Sequence, residues 1–131
     1  MNPGLSYDQN PLFTSLFTEG LANYFSSIVT KDTTLVRILL DDKDLSNRGP
    51  KMISKLSKIF IEKIHSKERK DYSMFFTPFQ KQEIPNRSGY FLGYLVVKEM
   101  AKIFTIKELC LLNEAEICKH VEVTLIKFID N

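Results

Sequence analysis

The sequence has little excess of charge of either sign. Eighteen Lys and Arg stand against sixteen Asp and Glu, a formal balance of +2 at pH 7. So small an excess excludes the basic footprint of a typical nucleic-acid binder, and the lysines of residues 51–70 are interspersed with acids. Long apolar runs are missing too: none reaches the ~18 to 20 residues needed to cross a bilayer. The opening MNPGLSYDQN has neither the basic start nor the apolar core of a signal peptide. The expectation is a cytoplasmic protein without a membrane partner. Cysteine is limited to Cys110 and Cys118, eight apart and outside any CxxC, which reads as two buried free thiols rather than a disulfide or a metal pair. Histidine is limited to His65 and His120, far apart on polar helix faces and read as surface residues. P-loop, GxGxxG, GxSxG and HExxH motifs are all absent.

What is present is enough to fold. At 131 residues, 44% hydrophobic and 11% aromatic, the chain is long and apolar enough for one domain with a real core. Residues 1–9 read as a loose leader and 10–131 as one helical domain of about five to six helices, mainly α. Asn10-Pro11 opens the first helix, with Asn as N-cap and Pro at the first helical position. Leu12, Phe13, Leu16, Phe17, Leu21, Tyr24, Phe25 and Ile28 follow at the spacing of one helix face. TTLVRILL, within 31–48, leans to helix over strand because no strand partner is evident nearby. Asn47-Arg48-Gly49-Pro50 is a turn signal before a helix over 51–65. There Met52, Ile53, Leu56, Ile59, Phe60 and Ile64 face inward. SKERKD, residues 66–71, reads as an exposed charged connector, and 72–85 as an irregular packed segment. A helix from Arg87-Ser88 to about Phe104 has no charge over Gly89–Val97 and is expected to be buried all round. Thr105 with Glu108, and Asn113 with Glu116, mark the starts of two further helices. In the second of these, Ile117, Cys118, Val121, Leu125 and Phe128 share one side.

One acid stands apart. Between Asp8 and Lys31 the only charge is Glu19, followed at once by Gly20. At ~100° per residue Gly20 falls in the middle of the apolar face and Glu19 nearly opposite, beside Ser15, Asn23 and Ser26. A solvated face usually carries several Lys and Glu, so a side that is polar but otherwise uncharged reads as the lining of a cleft or a contact with another part of the protein. Downstream, Tyr90 and Tyr94 lie one turn apart, as do Gly89 and Gly93. Glu19 and the two tyrosines are the candidates for chemistry. The plainer readings stand beside that one. Glu19 as a solvent-facing acid paired with a lysine contributes under ~1 kcal/mol. Tyr90 and Tyr94 serve equally as core aromatics with hydroxyls at the rim, and the glycines as packing residues.

Two segments resemble a known family. TEGLANYF, Thr18 to Phe25, is similar to the second active-site helix of the gluzincin zinc metallopeptidases, whose aminopeptidase members carry NEGFA there. Glu19 and Gly20 match, Leu21 and Ala22 suit the apolar and small positions, and Thr18 departs from the common asparagine. IPNRSGYFLGYLVVKEMAK, Ile84 to Lys102, resembles the proline-then-GYxxGY helix of a bacterial family of predicted zinc-dependent proteases of that type. The resemblance covers roughly residues 11 to 112. It implies Glu19 as a zinc ligand and Tyr90 or Tyr94 as donor to a developing oxyanion. It also implies zinc as cofactor, with two ligands and the general base on an HExxH helix upstream. The 18 residues before Glu19 contain no histidine, so the chain as given does not assemble that site and is not expected to hold zinc alone. It reads as the C-terminal part of a longer metallopeptidase or as a degenerate relative. The other reading is a non-catalytic helical interaction module, with self-association or a missing N-terminal catalytic portion as partner.

Overall fold

In the computed structural model the described residues are 10–30, 39 and 42–130. The expectations for the leader and for TTLVRILL lie outside them, apart from Leu39, which is buried. The described residues form helices and no strand: α1 Leu12–Thr30, α2 Lys43–Arg48, α3 Ile53–Glu62, α4 Arg69–Phe76, α5 Ser88–Met100, α6 Ile106–Cys110 and α7 Glu114–Asp130, with a 3-10 turn at Gly49–Met52. The fold is mainly α, as expected.

The pairing of α1 with α5 is the main helix contact, with α3 on α7 next. Their apolar faces make one core: Leu12, Leu16 and Phe17 meet Phe91, Leu92 and Val96, and Phe60, Val121 and Leu125 continue it. Phe75 closes onto Phe60, edge to face at 4.9 Å between centroids. At the α1/α5 crossing both helices present glycine. A Cβ on Gly20 would clash with the carbon and oxygen of the Gly93 carbonyl, and one on Gly93 would lie 2.5 Å from the Leu16 carbonyl oxygen. Backbone rests on backbone there. Helix α5 is buried over most of its surface, as its uncharged first half predicts.

Several local expectations change. Helix α1 begins at Leu12, its amides anchored by a distant segment: Leu12 N donates to the Ser66 carbonyl at 2.9 Å and Phe13 N to that of Ile64 at 3.1 Å. This satisfies the orphan amides of the first turn. The apolar face of α1 is buried only in its first half; Phe25 and Ile28 are exposed, 51% and 45%. Residues 47–50 are not a turn. The Asp42 carboxylate caps α2 by accepting from Leu45 N at 3.0 Å, and Gly49 stays in the right-handed region, so α2 runs directly into the 3-10 turn. SKERKD is not wholly a solvated connector either. Helix α4 starts within it and Asp71 is buried, because Lys63 and Ser66 satisfy its carboxylate. The thiols are free but not buried: Cys110 is exposed and Cys118 half-buried. Both helix starts near the C-terminus carry reciprocal capping bonds, Thr105 with Glu108 and Asn113 with Glu116. No helix among the described residues is long and apolar enough to cross a membrane.

Candidate functional site

Glu19 is brought to its neighbours by the glycine that follows it. Because Gly20 lies directly on Gly93, the flank of α1 carrying Glu19 and Asn23 is drawn onto the N-terminal half of α5. Asn23, one turn after Glu19, donates from Nδ2 to the Tyr90 carbonyl in a long 3.5 Å hydrogen bond. Tyr90 is thereby fixed beside α1. Its ring meets the edge of Phe76 at 5.4 Å between centroids and 86°, and Phe76 stacks on Tyr72 at 5.0 Å and 29°. Phe76 is buried, whereas Tyr72, Tyr90 and Glu19 are each half-buried. Gly89 makes room for this arrangement, since a Cβ there would meet the Phe76 ring at 2.5 Å and the Phe75 carbonyl oxygen at 2.8 Å.

Electrostatics tie the three polar groups together. Burial pushes the Glu19 carboxyl above the usual glutamate value. Burial also raises the Tyr72 phenol, and the negative charge of Glu19 raises it further. Tyr90 is raised by burial, then by Glu19 and Tyr72, with Arg87 partly offsetting them. Both phenols therefore stay protonated at neutral pH. Arg87, in the left-handed region at φ 61°, holds Asp42 through a 2.7 Å ion pair. No ion pair among the described residues reaches Glu19.

The two sequence-identified tyrosines are separated by their surroundings. Tyr90 joins Glu19. Tyr94 is 6% exposed within the core, 6.4 Å from the Tyr24 ring, with Lys98 Nζ 5.8 Å from its centroid. Tyr72 completes the group and was not singled out from the sequence. Its helix is hidden by the charged residues that open it, and no periodicity links it to Glu19. His65 and His120 stand elsewhere, edge-on to Phe13 and Phe104.

Zinc does not fit these residues alone. A zinc site needs three or four N, O or S ligands converging on one point, and among the described residues no three His, Cys, Asp or Glu come together. No family model, curated protein or solved structure matches the chain.

The raised Glu19 carboxyl has a consequence for stability. Its folded pKa lies above the unfolded value, so the folded state binds more protons and stability falls as pH rises from 4.5 through the folded pKa. Glu19→Gln is expected to raise the melting temperature at neutral pH by at most about 2 °C, because water screens this half-buried group. The gain disappears below pH 4.5. Thermal melts of both proteins across this range check it, and a pH-independent difference would remove the burial argument.

Proposed function

We propose that this chain is the helical C-terminal part, or a degenerate relative, of a gluzincin-type zinc metallopeptidase, with Glu19 as the carboxylate it brings to the metal. The observation that carries the reading is the Glu19 group itself: an acid with no ion-pair partner among the described residues, half-buried beside two phenols. The two motif segments that carry the family resemblance, TEGLANYF and GYFLGY, pack on each other through Gly20 and Gly93. In this reading Tyr90 stands as a donor beside the carboxylate. If the chain is that C-terminal part, the histidines and the general base lie upstream of it; as given, it holds no HExxH and is not expected to cleave peptides.

Metal analysis tests it. The purified chain is expected to carry no zinc beyond that of its Glu19→Ala variant. A longer product of the same gene, with an HExxH helix upstream, is expected to hold about one zinc per chain and to lose at least tenfold in affinity on Glu19→Ala. Zinc retained undiminished in that variant, or a reading frame without HExxH upstream, rejects the enzymatic form of the proposal.

The exposed end of α1 favours a second reading, a helical interaction module. Phe25, Ile28 and Val29 are 51%, 45% and 60% exposed, three apolar side chains grouped at one helix end, where a contiguous exposed patch would mark a contact surface. A monomer by light scattering that binds no hydrophobic dye excludes self-association through this face.

A further inference from the structure

We infer that the groove bounded by the 3-10 turn, α3, α5 and α7 binds a free alkyl carboxylate of medium chain length. This goes beyond the metallopeptidase reading and does not depend on it. Leu95, on the groove wall, lies about 140° around α5 from Tyr90, the residue that meets Asn23 of α1. The groove has a volume of about 460 Å³ and is lined by Pro50, Lys51, Ile53, Ser54, Leu95 and Phe128. That size lies within the ~300 to 1,000 Å³ of small-molecule sites, which often form between packed helices. Its walls are set by the fold. Gly49 rests on the Phe91 ring, where a Cβ would lie 2.9 Å from Cδ2, and this holds the 3-10 turn against α5. Ser54 Oγ donates to the Ile129 carbonyl at a long 3.5 Å, tying the start of α3 to the end of α7.

Ile53, Leu95 and Phe128 are each half-buried, so the groove offers apolar surface that the fold leaves partly in water. Each methylene laid against such surface strengthens binding by up to ~fourfold. The polar part of the lining carries one sign of charge. Lys51 is exposed and makes no ion pair among the described residues, and no acid among them lines the groove. Neighbouring acids are engaged: Glu83 with Lys55 at 3.2 Å, and Glu99, one turn after Leu95, with Lys102 at 2.9 Å. The helix ends offset each other, since the start of α3 adds positive and the end of α7 negative partial charge. Lys51 therefore decides the sign of the ligand. A phosphate is usually met by several donors, often a bidentate Arg, which this lining lacks. One ammonium at the rim of an apolar groove suits a straight chain ended by a single carboxylate, with the Ser54 hydroxyl as a second donor.

The test is an NMR titration of the chain with octanoate, butyrate, 1-octanol and n-octylammonium. The amide signals of Lys51, Ser54, Leu95 and Phe128 are expected to move with octanoate in the millimolar range or tighter. Butyrate is expected to bind at least about tenfold more weakly, having lost four methylenes. Octanol and octylammonium are expected to bind at least about twofold more weakly than octanoate. Lys51→Met is expected to weaken octanoate about two- to fivefold and to leave octanol unchanged, whereas Leu95→Ala weakens both alike, in variants whose dispersed spectra show them folded. No movement of these signals, octanol or octylammonium bound as tightly as octanoate, or octanoate binding indifferent to Lys51→Met or to Leu95→Ala overturns the inference. A peptide ending in leucine that binds more tightly than octanoate, and no longer binds once amidated, assigns the site to chain ends and overturns its assignment to free alkyl carboxylates.

Discussion

Gly20→Ala is expected to lower the melting temperature by about 10 °C or more. The argument rests on what the added methyl meets. The methyl clashes with both the carbon and the oxygen of the Gly93 carbonyl and lies 2.9 Å from the Gly93 Cα, so the obstacle is backbone in the middle of a buried helix. A flexible side chain would turn aside; a helix backbone does not. Relief requires α1 to move away from α5, and these two helices share the main helix contact of the fold. Overpacking of this kind costs ~1 to 3 kcal/mol where side chains absorb it, and more where they do not. Alanine returns ~1 kcal/mol of helix propensity, leaving a net loss of about 3 kcal/mol. In a domain of this size that corresponds to roughly 10 to 15 °C.

A double-mutant cycle distinguishes the crossing from a general helix effect. Gly93→Ala places its methyl 2.5 Å from the Leu16 carbonyl oxygen and 3.2 Å from Gly20 Cα, in the same contact seen from the other helix. Once the helices have parted for one methyl, the second adds little. The double variant is therefore expected to fall short of the sum of the single losses by at least about 1 kcal/mol. Ser26→Ala, on the exposed side of α1, is the control and stays within ~0.5 kcal/mol of the parent. Additive or neutral glycine variants in urea melts would refute the backbone contact. The same variants reach the candidate site, because Glu19 and Tyr90 are neighbours only while this crossing is closed.

That crossing marks the boundary of what the sequence discloses. Gly20 and Gly93 were each recognisable as packing glycines from the apolar faces around them. Their meeting was not, since no one-dimensional signal pairs residue 20 with residue 93. Signals that close within a few residues were the more legible ones, though the turn signal at 47–50 was not among them. The capping boxes at Thr105 and Asn113 close within three residues, so their chemistry is complete in the sequence. Helix α4 was obscured because SKERKD reads as solvated charge, while its Asp71 is buried by partners on the preceding segment. With α4 hidden, Tyr72 was hidden too. Glu19 stood out because an isolated acid on an uncharged helix face is visible in the sequence itself. What surrounds it depends on three helices arriving together.

The Asp71 assembly yields the second large expectation: Asp71→Asn destabilises the fold by about 2 to 3 kcal/mol at neutral pH. Asp71 is 4% exposed. Its carboxylate accepts from Ser66 Oγ at 2.6 Å and pairs with Lys63 Nζ at 3.2 Å. Ser66 in turn accepts Leu12 N on its carbonyl at 2.9 Å, so the buried acid orders the segment that anchors the start of α1. Asparagine keeps the shape but leaves Lys63 without its counter-charge. The pH dependence follows from the carboxyl's pKa. Burial pushes it up, but the Ser66 and Lys63 hydrogen bonds and the charges of Lys63 and Lys70 outweigh that and hold it below the usual aspartate value. The unfolded state then binds the proton more readily. The contribution is present above pH 3.8 and is lost as pH falls through the folded pKa. Urea melts are expected to show a wide gap between parent and Asp71→Asn at neutral pH that narrows steadily below pH 3.8. Lys63→Met should remove most of that gap, since the substitution deletes the charge Asp71 compensates. A gap of equal size at every pH, or one indifferent to Lys63→Met, would refute the Lys63–Asp71 ion pair as the source of the loss.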